Sequence, residues 1–182
     1  ESLATRFEQQ FPAGFFALRR AFRPDGKYGK WLLSKPVIVV ANGTAFVHGG
    51  LSPMIERLGL EGVNGRLKSE LTAYVEALQT LTDAEVLLPT DSHYETQALL
   101  NAYMPPLDES REVLDAIATA TRLFDSELFD IEGPLWYRGS VSCGELIEEH
   151  RLDDALAAIG ANRVVVGHTP TPTRSVLERF DG

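Results

Sequence analysis

Apolar residues recur at helical spacing in four stretches of the chain, namely residues 2–22, 63–81, 109–128 and 143–159. This spacing gives each predicted helix one apolar face that can pack against a core. In the first stretch Pro12-Ala13-Gly14 interrupts the pattern, so we expect two short helices there. Gly160 follows the last stretch and is the residue type that most often caps the carboxyl end of a helix.

Short apolar runs predict three strands. Val37–Val40 and Arg163–Val166 are rich in valine, a pattern typical of strands that are buried on both faces. Asn42-Gly43 is a strong signal for a tight hairpin, so Thr44–Val47 is expected to return beside the first strand and to end at His48.

Composition and charge narrow the classes of partner. The 182 residues are 44% apolar and 24% charged, which is ordinary for one globular domain with a hydrophobic core. A formal net charge of −9 makes nucleic acid and membrane partners unexpected, and favours a small ligand or one held through metal ions. The longest apolar runs are strand-sized, far below the roughly 20 residues that cross a bilayer, and no signal peptide is visible. A soluble protein is expected, and whether it is cytoplasmic or periplasmic is open.

Two histidines stand where predicted strands end. His48 directly follows the second predicted strand, and His168 follows the third after one residue. Glycines flank both histidines, at Gly49, Gly50 and Gly167. Ligands gather at the carboxyl ends of strands, and two neutral imidazoles at one sheet edge suit Zn, Mn or Fe. A packed, hydrogen-bonded histidine is the other interpretation of each residue.

Three segments carry a resemblance to a known family. They read FVHGGLSP at 46–53, GPLWYRG at 133–139 and VVVGHTPTP at 164–172. In order and spacing they resemble signature blocks of the calcineurin-like metallophosphoesterases, in particular the phosphoprotein phosphatase group with its bacterial and Shewanella-like branches. The string His-Gly-Gly-Leu-Ser-Pro is specific, whereas Gly-His-Thr alone is a weak signal.

The resemblance implies a fold and a dinuclear metal site. The fold would be α+β, part of a sandwich of two mixed sheets flanked by helices, with a helical insert at about residues 54–132. Two divalent metal ions (Mn, Fe or Zn) would lie at the strand ends, and His48 and His168 would bind the same one of them. Arg138 would contact the substrate phosphate, for which its guanidinium fork is suited. Two such ions clamp a phosphoryl group and lower the pKa of a bridging water.

The chain lacks the amino-terminal blocks of that family. Gly-Asp-x-His, Gly-Asp-x-x-Asp-Arg-Gly and Gly-Asn-His-Glu are absent, and with them the bridging aspartate and most other ligands. Because the chain also starts at Glu1 without a methionine, we expect it to be the carboxyl-side portion of a longer phosphatase. The missing amino-terminal half would be its partner, a phosphorylated protein or small phosphoester its substrate, and this portion alone would be inactive.

Two other functions fit the same residues. A degenerate, non-catalytic phosphatase-like domain would keep the sheet and serve in binding. A hydrolase of dinucleoside polyphosphates or phosphodiesters would keep the metals and act on a different substrate. The shared core residues do not distinguish these alternatives.

The segment EVLLPTDSHYE, residues 85–95, offers a second candidate for metal binding. Asp91 and His93 stand in it at ligand spacing after what resembles a strand. The surrounding pattern is helical, however, so a helix start with Thr90 or Asp91 as its cap is the favoured interpretation.

The remaining reactive side chains have simpler interpretations. His150 is expected on a solvated helix face, and Cys143, the single cysteine, is expected to be a buried structural thiol. No nearby base supports Ser52 as a nucleophile. Three tyrosines are expected in the cleft or in the core, namely Tyr94, Tyr103 and Tyr137.

Overall fold

The computed structural model describes residues 2–171 and 173–180, and 53% of these residues are helical. Both chain ends and Pro172, the last residue of the VVVGHTPTP segment, lie outside the described residues. The α-helices of the described part are α1 Leu3–Gln10, α2 Phe15–Ala21, α3 Lys27–Leu33, α4 Pro53–Asp83, α5 Thr96–Ala102, α6 Arg111–Phe124, α7 Gly139–Ser142 and α8 Glu145–Ala158. The predicted break at Pro12-Ala13-Gly14 is confirmed, because α1 ends before it and α2 begins after it.

Three strands form a mixed sheet in the order β1-β2-β3, with β1 at Ile38–Ala41, β2 at Thr44–Val47 and β3 at Arg163–Val166. β1 and β2 pair antiparallel across Asn42-Gly43, whose positive φ angles of 51° and 73° suit a tight hairpin turn. β2 and β3 pair parallel, with Val47 opposite Val166. The predicted strands and hairpin are therefore confirmed, and β2 and β3 end at the same edge of the sheet.

The predicted α+β sandwich of two mixed sheets flanked by helices is wrong for this chain. The part of the chain that the structure describes forms one small three-stranded sheet, and helices dominate the rest. Strand-forming sequence occurs in only three short runs of four residues each among the described residues. Two of the three resembling segments contain the ends of β2 and β3, and GPLWYRG lies in the turns that lead into α7. Such short segments constrain local geometry but not the number of strands.

One face of the sheet builds a hydrophobic core. Ile38, Ala45 and Val47 are buried on this face. They form a single cluster with apolar residues of α4 and α8, namely Ile55, Val63, Leu152, Ala155 and Leu156. The sheet and α8 therefore hold the ends of β2 and β3 in fixed positions.

The opposite face of the sheet is exposed. Val39, Phe46 and Val165 are 45%, 46% and 50% exposed, and they are neighbours across the three strands. The prediction that β1 and β3 are buried on both faces is therefore wrong. Successive side chains of a strand point to opposite faces, so a run of valines is compatible with burial of only one face. We call these three residues the open face.

The chain divides into two compact units. The first comprises the chain up to Lys35 together with Glu70–Phe124, and the second comprises Pro36–Ser69 and the chain from Asp125 onward. α4 contributes to both units, and its helical conformation is interrupted at Gly59, where φ is 65°. None of the described helices is both long enough and apolar enough to span a membrane. The expectation of a single domain with a helical insert stays a prediction.

Candidate metal centre

His48 and His168 meet at the edge of the sheet in the second unit. His48 directly follows β2 and His168 follows β3 after one residue. The backbone N–H of Gly167 donates to the carbonyl oxygen of His48 at 3.1 Å, which continues the pairing of the two strands into the loops. His48 Nε2 lies 2.5 Å from His168 Nδ1, and the two ring centroids are 4.5 Å apart. The parallel register thus brings together the two histidines that the sequence places at strand ends.

The donor set of this pair fits one divalent ion only in part. At 2.5 Å the two nitrogens share a hydrogen bond, in which one imidazole donates to the other. An ion bound at about 2.1 Å by both nitrogens would hold them about 3.0–3.4 Å apart, so the rings would need to separate by less than about an ångström. Among the residues that the structure describes, no third His, Cys, Asp or Glu completes a group of three. The pair therefore offers two nitrogen ligands and no carboxylate.

The surroundings of His48 favour its neutral form. Partial desolvation lowers the pKa of His48, and the positive charges of His168 and Arg138 lower this pKa further. Neutral imidazole is the form that coordinates metal ions, since a protonated ring has no free lone pair. The electrostatics therefore prepare His48 for a ligand role.

His168 has an unusual backbone conformation. Its φ angle is 64°, in the left-handed region, which costs a residue with a Cβ atom roughly 1–2 kcal/mol. The ring packs edge-on against Trp136, with centroids 5.7 Å apart, and against the ring of His48. The left-handed turn after Gly167 is therefore part of what directs the His168 ring toward His48.

Arg138 lies beside this pair and has no acidic partner among the described residues. Its side chain is half-buried, and Nη1 donates to the carbonyl oxygen of Tyr137 at 2.9 Å. No carboxylate of the described residues forms an ion pair with it. Its positive charge is one of the causes that lower the pKa of His48, after desolvation and the charge of His168. Next to the two histidines, therefore, the guanidinium carries a positive charge that no carboxylate of the described residues neutralises.

Glycines allow the His48 loop to lie directly on the segment that carries Arg138. The N–H of Gly49 donates to the carbonyl oxygen of Pro134 at 2.9 Å. A Cβ atom at Gly49 would lie 2.6 Å from the carbonyl carbon of Leu135, and one at Gly50 would lie 3.0 Å from the carbonyl oxygen of Tyr137. Close approach of two loops, rather than a left-handed turn, is the reason for glycine at both positions.

Gly167 is under no such constraint. A Cβ atom there would lie 3.7 Å from the carbonyl oxygen of His48, which is an ordinary van der Waals contact. Its φ angle is also outside the positive region. The three glycines that the sequence groups together therefore have different roles.

A buried hydrogen bond between a tyrosine and a glutamate holds the segment that carries Arg138. Glu148 is fully buried, and its Oε1 accepts a hydrogen bond from the Tyr137 hydroxyl at 2.6 Å. Burial, followed by the hydrogen bond to Glu148 and the charge of this carboxylate, raises the pKa of Tyr137 well above its usual value. Arg151 Nη1 lies 3.9 Å from Glu148 Oε2. The hydrogen bond to Glu148 therefore anchors Tyr137, the residue next to Arg138.

The sequence reasoning missed Glu148, although a signal was present. Glu148 lies four residues before Leu152 and seven before Ala155, so it falls on the apolar face of α8. An acidic residue on such a face is expected to have a specific polar partner, because burying an unpaired charge is costly.

The second candidate segment does not join this centre. Asp91 and His93 belong to the first unit, where Asp91 Oδ2 accepts from the backbone N–H of Leu88 at 2.7 Å. The predicted helix start is confirmed by the 3₁₀ turn His93–Glu95 that leads into α5. The predicted cap is wrong, because Ser92 Oγ, rather than Thr90 or Asp91, accepts the backbone hydrogen bond of Tyr94 at 3.3 Å.

The remaining candidates divide between surface and interior. His150 is exposed, as predicted, but Cys143 is also exposed, so the prediction of a buried thiol is wrong. Cys143 is the cap residue directly after the very short α7. Ser52 is fully buried and its Oγ accepts from the N–H of Met54 at 3.3 Å. Tyr94 is 90% exposed, and Tyr103 donates to Glu109.

Comparisons with known protein families, with curated proteins and with solved structures find no match to this chain.

Proposed function

We propose that His48 and His168 are ligands of one divalent ion in a metal-dependent phosphoester hydrolase, and that Arg138 contacts the phosphate of its substrate. The observation that supports this proposal most is the approach of His48 Nε2 to His168 Nδ1 at the ends of two parallel strands. Metal ions held there would polarise the phosphoryl oxygens of the substrate. The likeness of FVHGGLSP, GPLWYRG and VVVGHTPTP to phosphatase signatures supports the same reaction class.

The role proposed for Arg138 follows from its free charge. Guanidinium groups bind phosphoryl oxygens through two parallel hydrogen bonds, and Arg138 has no carboxylate partner among the described residues that would compete. The buried pair of Tyr137 and Glu148 would act as a positioning device for the segment that carries it.

Among the described residues, the ligand set of an ion at this pair is incomplete. Two imidazoles leave most coordination positions of an ion to water, and hydrolytic metal sites commonly include carboxylate ligands. We propose that polypeptide beyond the 182 residues supplies these carboxylates, and that they also hold a second ion. The open face lies on the same sheet, and its exposed apolar side chains are consistent with a further layer of polypeptide there.

A second candidate function has an observation in its favour. The two histidines form a hydrogen bond with each other and lack a third ligand among the described residues. A non-catalytic domain that binds phosphorylated ligands through Arg138 would need nothing more. Metal binding distinguishes the two proposals, because the binding domain has no use for an ion.

The activity test compares this chain with a polypeptide that also carries a Gly-Asp-x-His block. With Mn²⁺ and p-nitrophenyl phosphate, we expect the 182-residue chain to show no turnover above background. In the longer polypeptide, His48→Ala is expected to lower kcat by at least about 100-fold, because even the loss of groups that only support a ligand costs 10–100-fold.

His150→Ala is the matched control for this experiment, since it removes an exposed imidazole from α8 in the same unit. It should leave kcat unchanged. Unchanged turnover in His48→Ala would exclude His48 from the metal site. Strong turnover by the 182-residue chain alone would contradict the need for outside carboxylates.

A further inference from the structure

A cavity in the first unit lies between one face of α2 and one face of α4. Its volume is about 500 Å³, inside the range of roughly 300–1,000 Å³ that is typical of small-ligand pockets. Phe16, Arg19 and Arg20 line it from α2, and Val75 and Leu78 line it from α4. Arg19 and Arg20 follow Phe16 by three and four positions, and Leu78 follows Val75 by three, so each set occupies one helix face.

Hydrogen bonds fix the walls of this cavity. Arg23 Nη2 donates to both carboxylate oxygens of Asp83, at 3.2 and 3.0 Å. Arg19 Nη2 donates to the carbonyl oxygen of Asp91 at 3.2 Å. These contacts join the α2 wall to the end of α4 and to the loop that follows it, while the space between the walls stays open.

Positive side chains outnumber negative ones among the residues that line the cavity. Arg23 forms ion pairs with Asp83 and Asp25, whereas Arg19 donates to a neutral carbonyl group and Arg20 has no ion-pair partner among the described residues. Asp91 is the one carboxylate among the described residues that line the cavity. Arg19 and Arg20 are therefore two lining guanidiniums that no ion pair of the described residues neutralises, in a chain whose formal net charge is −9.

Apolar side chains form most of the remaining wall. Leu87 is buried and Leu78 is half-buried, while Phe22 and Leu88 are 50% and 55% exposed. Exposed leucine and phenylalanine around a concave surface favour an apolar occupant, because its binding removes their surface from water.

We propose that this cavity binds an amphipathic anion, with a carboxylate, sulfonate or phosphate head at Arg19 and Arg20 and an apolar body against Phe16, Phe22 and Leu78. The charge of the arginines selects the head, and the apolar wall accepts the body. The site is separate from the histidine pair and does not depend on its proposed function.

A pair of fluorescent probes tests the charge requirement. 8-Anilinonaphthalene-1-sulfonate has an aromatic body with one sulfonate, and N-phenyl-1-naphthylamine is the same body without it. In the full chain we expect saturable binding of the sulfonate at one site, about tenfold or more tighter than binding of the neutral amine. Equal affinity for the two probes would overturn the proposal.

Substitutions locate the probe. Arg20→Gln combined with Arg19→Gln is expected to weaken sulfonate binding about tenfold, and Leu78→Trp, which fills the cavity, should abolish it. Lys27→Gln is the matched control, because it removes a positive charge from the same unit without lining the cavity. Equal loss in Lys27→Gln, or binding unaffected by either cavity variant, would contradict the proposal. Thermal unfolding of each variant shows that any loss of binding is not a loss of fold.

Two sources of such an anion can be distinguished. Decanoate should displace the sulfonate probe if a free acid is the ligand. Cosedimentation with phosphatidylglycerol vesicles, lost in the double arginine variant, would instead assign the head group of a lipid. Failure of both decanoate and the vesicles to compete for the site would overturn the proposed ligand class.

Discussion

His48, His168 and Arg138 are three side chains that can each carry a positive charge and that lie together, and no carboxylate of the described residues completes a metal-ligand group with the two histidines. Partial desolvation, followed by the positive charges of His168 and Arg138, lowers the pKa of His48. A neutral His48 beside the permanent cation of Arg138 suits a metal ion and an anionic substrate together.

The pKa of His48 gives a prediction about these charges. Because the folded-state pKa is below the unfolded value near 6.5, the folded chain binds fewer protons, and the contribution of His48 to stability falls as pH falls through 6.5. Histidine titration by NMR should place the pKa of His48 below 6.5 and raise it in Arg138→Gln or His168→Ala. His150→Ala is the control that should not move it. A pKa of His48 that is insensitive to both variants would contradict the proposed proximity.

At the scale of elements, the candidate metal centre lies where two loops contact each other, and the sheet and α8 hold these loops in place. The loop after β2 lies on residues 134–137, and the Tyr137–Glu148 hydrogen bond ties that segment to α8. α8 in turn packs on the sheet through Leu152 and Ala155. The position of Arg138 therefore depends on the sheet that also positions the two histidines.

Two glycine substitutions test this loop contact. Gly49→Ala places a methyl group 2.6 Å from a backbone carbon of Leu135, so we expect a loss of about 1–3 kcal/mol in the free energy of unfolding. Gly167→Ala is the matched variant, because its methyl group would lie 3.7 Å from the carbonyl oxygen of His48. It should change the free energy of unfolding by less than about 0.5 kcal/mol. Urea unfolding measures both. Equal effects of the two substitutions would show that the loops are not in close contact.

The sequence predicted those features of the elements that depend on local signals. Asn42-Gly43 determined the hairpin, and the two strand ends indicated where His48 and His168 would meet. Burial was harder to predict, because valine runs do not reveal whether the second face of a sheet is covered, and Val39 and Val165 are exposed. Glu148 was missed because acidic residues are normally assigned to the solvated face of a helix.

At the scale of the whole molecule, the net charge did not indicate the local charge distribution, and the resemblance did not indicate the fold. The net charge of −9 gave no indication of the arginine-lined cavity in the first unit. The resemblance to phosphatases lies in three short segments, and it did not extend to the architecture, since one three-stranded sheet replaces the expected sandwich. A likeness in short motifs therefore does not determine the overall fold, and the proposed chemistry rests on the motifs.

The most direct test of the shared metal site is a Zn²⁺ titration of this chain followed by imidazole ¹H–¹⁵N NMR. The chain has four histidines, so His93 and His150 serve as internal controls. We expect His48 Nε2 and His168 Nδ1 to shift together with one midpoint and one ion per chain, and the other two histidines to stay unchanged. Separate midpoints for His48 and His168, or no shift of either at millimolar Zn²⁺, would contradict a metal ion shared by the two residues.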